Sequence, residues 1–203
     1  MEAHMLINFQ EKSPTQRYHL MTNVIVPRPI AWVVTEGEIA GEAVTNIAPF
    51  SYFTAISSEP AAVLISIGHR PDGSPKDTLR NLRDTKKCVI CIVDADHFEP
   101  MHLSAESLDA SQSELEYLSI PTQKVLEGYP PMPTGIKAAM FGTYRQEVDL
   151  PGSKTIPVII EIAHLYVDEA IISDTDKMKL SFDAIARMGG DYRVLGEMLL
   201  LPQ

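Results

Sequence analysis

Residues 45–53 read Thr-Asn-Ile-Ala-Pro-Phe-Ser-Tyr-Phe, and a short way downstream stands Ser74-Pro75-Lys76-Asp77-Thr78. The first segment is polar at its start and aromatic at its end, with Pro49 between. It can offer backbone groups and a hydroxyl to a flat ring. The second segment carries the marks of a helix start: Ser74 as N-cap, Pro75 at the first helical position, and Asp77 to complete a capping box. A helix N-terminus presents unpaired N–H groups and a partial positive charge, so one flanked by a lysine and hydroxyls can hold a phosphate. A ring site beside a phosphate site describes a mononucleotide ligand.

Outward from these segments, strand signals dominate. Ile30 to Thr35 is one strand, opened by Pro27-Arg28-Pro29 at an edge. Ala62 to Gly68 is another, with Val63, Ile65 and Ile67 on one face and Leu64 and Ser66 on the other. Met140, Gly142, Tyr144, Gln146 and Val148 share a face opposite Arg145 and Glu147. Val158, Ile160 and Ile162 share a face, but the next apolar pair is Leu165 and Val167. That change of phase predicts a bulge near Ala163–His164. Helix signals are fewer: Pro75 to Lys86, Asp96 to Glu106 and Ser113 to Leu118. Residues 119–135 hold Pro121, Pro130, Pro131 and Pro133 and read as an extended connector. Strands exceed helices without regular alternation, which predicts a mainly β fold with added helices, an antiparallel barrel rather than a doubly wound sheet. No internal repeat or low-complexity tract interrupts the chain, so a single domain is expected over residues 1–203.

The composition is that of a globular chain, 45% apolar and 22% charged over 203 residues. A net charge of −10 argues against nucleic acid or an anionic membrane as partner. No apolar run approaches the ~20 residues that span a bilayer. The first twelve residues include polar and acidic ones and no hydrophobic core segment, so no signal peptide is read there and a cytoplasmic location is the default expectation.

Cys88 and Cys91 are spaced as C-x-x-C, the pattern of a redox pair or half a metal site. Their context, Lys87-Cys88-Val89-Ile90-Cys91-Ile92-Val93, reads instead as a buried strand. Residues three apart on a strand point to opposite faces, so the two thiols are expected to be unpaired core residues. No second C-x-x-C completes a zinc site, and no metal is expected.

In this order the two opening blocks carry a family resemblance. Pro27-Arg28-Pro29-Ile30, Asn46-Ile47-Ala48-Pro49-Phe50-Ser51, Pro60, Ser66, Lys76-Asp77-Thr78 and Arg187-Met188-Gly189-Gly190-Asp191-Tyr192 resemble the flavin reductase-like family, over roughly residues 18–196. The resemblance implies a six-stranded antiparallel split β-barrel that binds FMN, with Asn46, Ile47, Ala48, Pro49, Phe50, Ser51 and Ser66 toward the flavin and Lys76 and Thr78 at its phosphate. It implies NADH or NADPH as a transient co-substrate docking on the flavin face, and a second flavin or a redox protein as acceptor. The absence of G-x-G-x-x-G and G-x-x-x-x-G-K-[ST] fits, since neither a Rossmann unit nor a P-loop is present to hold a nucleotide. An alternative stays open: a flavoredoxin-like electron carrier with bound FMN and no turnover of its own.

Each candidate has a plainer reading beside the functional one. Residues 46–51 also suit a strand edge with a proline kink and a core phenylalanine. Lys76, Arg80, Arg83 and Lys87 follow helical spacing. Arg83 and Lys87 lie too far from the helix start to feel its dipole and are read as a solvated face. Asp77 is assigned to the cap, because a carboxylate beside phosphate is repulsive. Trp32, the only tryptophan, is read as core, His69 as a possible donor to cofactor or nicotinamide, and His164 as structural at the bulge. Tyr192 closes toward the cofactor by resemblance. A homodimer is expected, with FMN near the subunit boundary, because an open barrel leaves apolar surface and the connector, with Val125, Leu126, Tyr129 and Met132, can lie across a neighbour.

Overall fold

The computed structural model describes residues 4–196. Its first helix is α1 (Pro14–Val24). Seven strands then make one antiparallel sheet: β1 (Ala31–Ile39), β2 (Glu42–Phe50), β3 (Phe53–Ser58), β4 (Ala61–Gly68), β5 (Lys87–Ile92), β6 (Ala138–Glu147) and β7 (Thr155–Val167). The order across the sheet is β2-β1-β5-β6-β7-β4-β3. The mainly β expectation holds, but the sheet has seven strands rather than six. Its edge strands β2 and β3 are not laddered to each other among the described residues. The additional strand is β3, a hairpin partner of β4, where the sequence shows no alternation to announce it.

Helices α2 (Asp77–Thr85), α3 (Phe98–Leu103) and α4 (Glu114–Tyr117) follow β4 and β5. The C-terminal hairpin pairs β8 (Ile185–Met188) with β9 (Asp191–Val194), and Arg28–Pro29 adds to β8.

The sheet buries both faces, which is why Ala31-Trp32-Val33-Val34 is a continuous apolar run. On one face Ala31, Val33, Ile65, Ile67, Ile90 and Ile160 pack with Leu79 and Leu82 of α2. On the other, Trp32, Val34, Ile47, Cys91 and Phe141 pack under Met101 of α3, Leu115 of α4, and Tyr129, Met132 and Ile136. The connector therefore lies on its own sheet. Tyr129 and Met132 are buried there, and the expected arm across a neighbour is not what these residues form. Proline fixes the path and the apolar side chains find a local partner.

Cys88 belongs to one core and Cys91 to the other, both buried and free, as opposite strand faces require. The expected bulge is present: Ile162 pairs with Gly142 and His164 with Phe141, leaving Ala163 over. A second register shift lies at Ile159/Ile160, opposite Arg145, and breaks the unbroken face expected for residues 140–148.

The start of α2 departs from expectation. Lys76, not Ser74, is the N-cap, and no side chain caps the helix. Ser74 is engaged elsewhere, its N–H and hydroxyl both donating to Asp72 Oδ1, at 2.9 and 2.6 Å. Asp77 does not close a capping box but pairs with Arg70 and Arg80. The same motif succeeds at α1, where Ser13 and Gln16 form a reciprocal capping box around Pro14.

Candidate functional site

Strand β2 is a sheet edge, and alternate residues turn backbone groups outward from it. The Thr45 carbonyl accepts from the Ser113 hydroxyl at 2.6 Å, and the Ile47 N–H donates to Glu114 Oε2 at 3.1 Å. The start of α4 thus covers one stretch of the edge. Pro49 comes next in the same phase and has no N–H to leave unpaired, the usual reason for proline at an edge.

A groove runs beside this edge. Its wider end, about 180 Å³, is lined by Tyr18, Ile30, Pro49, Phe50, Ser51, Met101, Ala105, Arg187 and Tyr192. Its narrow end, about 30 Å³, is lined by Asn46, Ala48, Arg70, Lys76, Asp77, Thr78, Ser104–Leu108 and Glu114. Ala105 borders both ends. A bulky group fits only the wide end, which holds one charged side chain, Arg187, while five charged side chains line the narrow end.

The two sequence blocks therefore meet in one groove, but not every candidate faces it. Ile47 turns its side chain into the core and offers the edge only its backbone. Ser66 borders neither end; its N–H donates to the Tyr52 carbonyl at 2.9 Å, opposite Pro157 in β7. Asn46 and Thr78 are buried, and both side chains are already bonded. The Thr78 hydroxyl donates to Asn46 Oδ1 at 2.8 Å, and Asn46 Nδ2 donates to Glu114 Oε2 at 2.9 Å. Behind them Thr35 donates to Asn46 Oδ1 at 3.4 Å and accepts from Asn81 Nδ2 at 3.2 Å. These five buried side chains hold β1, β2, α2 and α4 together through hydrogen bonds to one another, as burial of polar groups demands. Gly37 leaves room for the cluster, since a Cβ there would collide with Asn81 Oδ1.

The charges sort themselves by partner. Arg70 and Arg80 are both held by Asp77, while Lys76 makes no ion pair among the described residues. Lys76 also stands beside the amides of Asp77 and Thr78, which precede the first helical hydrogen bonds. Arg83 and Lys87 are not the solvated face expected of them. Arg83 makes a two-pronged pair with Glu147 at 2.7 and 2.9 Å, and Lys87 donates to Thr143 and lies over the Tyr129 ring. Half-burial at the helix–sheet seam forces each to find a partner there.

At the wide end Tyr192 is stacked edge-on against Phe98 and His102, with Arg187 over its ring at 4.1 Å. Its place by resemblance thus falls on the groove. Trp32 is fully buried, its indole donating to Ser104 at 2.9 Å, which leaves it no face for a ligand. His69 borders neither end and approaches the Lys154 carbonyl at 3.3 Å, and exposed His164 lies at the bulge. Glu114 and Tyr18 are groove residues the sequence does not announce. A buried carboxylate has no periodic signal, and Tyr18 reaches the groove only through the placement of α1.

The groove thus lies between the edge strand β2, the start of α2 and the segment after α3. The chain belongs to the flavin reductase-like family: the family model "Flavin reductase like domain" matches residues 21–181. It is 38% identical over 116 residues to an uncharacterized protein of Halalkalibacterium halodurans, covering 57% of this chain and 54% of that one, about half its length. Nitrilotriacetate monooxygenase component B from Bacillus cereus superposes with a TM-score of 0.89 at 25% identity, over 99% of this chain and all of that one. A Shewanella frigidimarina protein with a split barrel domain superposes with a TM-score of 0.80 at 19% identity, over 98% of this chain and all of that one. The fold of these two proteins extends over nearly the whole of this chain. No helix among the described residues is long and apolar enough to cross a membrane.

Proposed function

We propose that the chain binds FMN in this groove, takes electrons from NADH or NADPH, and passes them to a second flavin or a redox protein. The observation that carries the reading is the groove itself: its wide end has Pro49, Phe50, Met101 and Tyr192 to cover a ring, its narrow end has Lys76 at the start of α2, and both border Ala105. The residues present fit the group. Pro49, Phe50 and Met101 offer apolar cover to a ring, Ser51 offers a hydroxyl, and Lys76 with the first amides of α2 offers charge and donors to a phosphate. Asn46 and Thr78, which line the narrow end and bond to each other, fix the position of those amides. When bound, the flavin supplies the hydride and electron chemistry, and the protein supplies position and electrostatics.

We also infer one working domain over residues 1–203 and a homodimer whose boundary lies by the groove. Helix α1 buries only Thr22, while Tyr18, Met21, Val24 and Ile25 remain exposed, and Tyr18 already lines the wide end. A second copy laid on α1 would cover this apolar face and close the groove.

Three measurements test the reading. The purified protein should show a flavin absorption spectrum and bind FMN more tightly than riboflavin; equal affinities would remove the phosphate end. Steady-state oxidation of NADH or NADPH by the FMN-loaded protein is expected, whereas reduction only through a partner protein identifies an electron carrier. Sedimentation should give a dimer that releases FMN when dilution dissociates it, and a monomer that keeps its flavin at micromolar concentration excludes the shared boundary.

A further inference from the structure

Glu114 is the one buried carboxylate in the narrow end, and no cation among the described residues pairs with it. It is 6% exposed and lines the groove. Its Oε2 accepts from both Asn46 Nδ2 and the Ile47 N–H, at 2.9 and 3.1 Å, while Oε1 accepts from no other residue among those described. The side chain is thus anchored through Oε2 and, besides a bond from its own backbone N–H, takes no further protein donor among the described residues, which leaves Oε1 able to bond a ligand in the groove that Glu114 lines.

The charged groups around it come from three directions. Lys76 and Asp77 face it from the start of α2, Arg70 from the turn after β4, and Glu106 from the segment after α3. Arg70 is already committed to Asp77. Lys76 is therefore the cation left to offset Glu106, Glu114 and any incoming anion. An ionised Glu114 would put its free oxygen against a phosphate with no donor between them. A neutral acid removes the conflict, because the proton on Oε1 makes that oxygen a donor while Oε2 still accepts its two N–H bonds. Burial favours this form and raises the carboxyl from its ordinary value, with the nearby Asp77 charge acting in the same direction, against the hydrogen bonds from its own backbone N–H, from Ile47 and from Asn46.

We propose that Glu114 is a phosphate-facing residue of this groove, which donates from Oε1 as a neutral carboxylic acid, so that a phosphate ester binds together with one proton taken from solvent. The ligand class follows from the proposed flavin function, on which this inference rests. Nothing is oxidised or reduced: one proton moves from buffer to Oε1, and one hydrogen bond forms to a phosphate oxygen.

Titration calorimetry with FMN, in phosphate-free buffers of different ionisation enthalpy at about pH 8 where a phosphate ester is a dianion, tests this directly. The slope of observed heat against buffer ionisation enthalpy should correspond to uptake of about one proton by the wild-type chain, and affinity should fall by about tenfold per pH unit once free Glu114 is ionised. Riboflavin should take up none. Glu114→Gln retains an oxygen for Asn46 and Ile47 and offers a permanent donor, so it should bind FMN at pH 8 at least as tightly as wild type with no proton uptake. FMN binding without uptake by the wild-type chain, or unchanged uptake in Glu114→Gln, overturns the proposal, and the wild-type slope decides it even if the variant does not fold. Inorganic phosphate is the second probe. Proton-linked binding of phosphate without FMN binding keeps the Glu114 assignment and removes the flavin reading, while binding of neither removes both.

Discussion

The Thr78 hydroxyl donates to Asn46 Oδ1 at 2.8 Å. The two residues stand 32 apart in sequence and come from the two blocks that point to a ring site and a phosphate site. Their bond is what makes those blocks one site, because it fixes the start of α2 against the edge strand β2. It also fixes the Asn46 amide, whose nitrogen then has Glu114 as its acceptor.

Thr78→Val keeps the shape of the side chain and removes the donor. Asn46 Oδ1 is then left with the longer Thr35 contact at 3.4 Å. A buried acceptor that loses its partner costs about 1–3 kcal/mol. Urea unfolding should show that loss of stability. An unchanged midpoint would mean that the bond does not tie α2 to the sheet.

Lys76 and Arg83 lie on one helix end and one helix side, and their substitutions should separate. A hydrogen bond to a charged group contributes roughly 1.5–3 kcal/mol, so Lys76→Ala should weaken FMN binding by about ten- to a hundredfold. Arg83 is engaged with Glu147 and borders neither end of the groove. Arg83→Ala should leave the FMN dissociation constant unchanged and cost about 1 kcal/mol of stability, because the pair is partly open to solvent. Equal dissociation constants for the two variants would move the phosphate away from Lys76.

Both cysteines should be unreactive in the folded protein. Burial pushes the Cys88 thiol up to about 12, and Cys91 is raised by the same cause. The thiolate is the reactive species, so neither should form at neutral pH. A thiol reagent should titrate neither until denaturant is added, and then both. A Cys88–Cys91 disulfide in native protein alkylated before denaturation would overturn the strand assignment.

Asp94 sets an acid limit on stability. Burial pushes its carboxyl up, but the Lys137 ammonium paired with Oδ2 and the His97 Nδ1 bond to Oδ1, each at 2.8 Å, outweigh burial and hold it below the ordinary value. A carboxyl lowered by folding contributes stability that is present above the unfolded value and lost as pH falls through the folded one. Stability carried by Asp94 should therefore be intact at neutral pH and disappear below about pH 4, the ordinary carboxylate range. Asp94→Asn should flatten that acid limb and lower stability at neutral pH by about 1.5–3 kcal/mol. Parallel acid limbs in wild type and variant would exclude the assignment.

Local sequence decided what depends on backbone period and side-chain volume. Val33, Ile65, Ile90 and Ile160 are apolar at strand spacing and became core, and the phase break before Leu165 marked the bulge at Ala163. The opposite faces of Cys88 and Cys91 followed from the same period of two. Asn46, Pro49, Phe50, Ser51 and Lys76, singled out by residue type and by the order of the two blocks, line the groove.

Tertiary structure decided which of several possible partners each polar group took. Ser13-Pro14-Thr15-Gln16 and Ser74-Pro75-Lys76-Asp77 both carry a serine, a proline and a side chain able to close a cap. The first closes a capping box. In the second, Asp72 lies two residues before Ser74 and takes its hydroxyl, and Arg70 and Arg80 take Asp77, so the helix starts two residues beyond Pro75 without a side-chain cap. The same competition placed Arg83 on Glu147 and brought Glu114 to Asn46 from 68 residues away. Period fixes which face a residue is on, because it is a property of the backbone alone. A hydrogen bond needs two groups within about 3 Å, and only the packed chain sets which groups come that close.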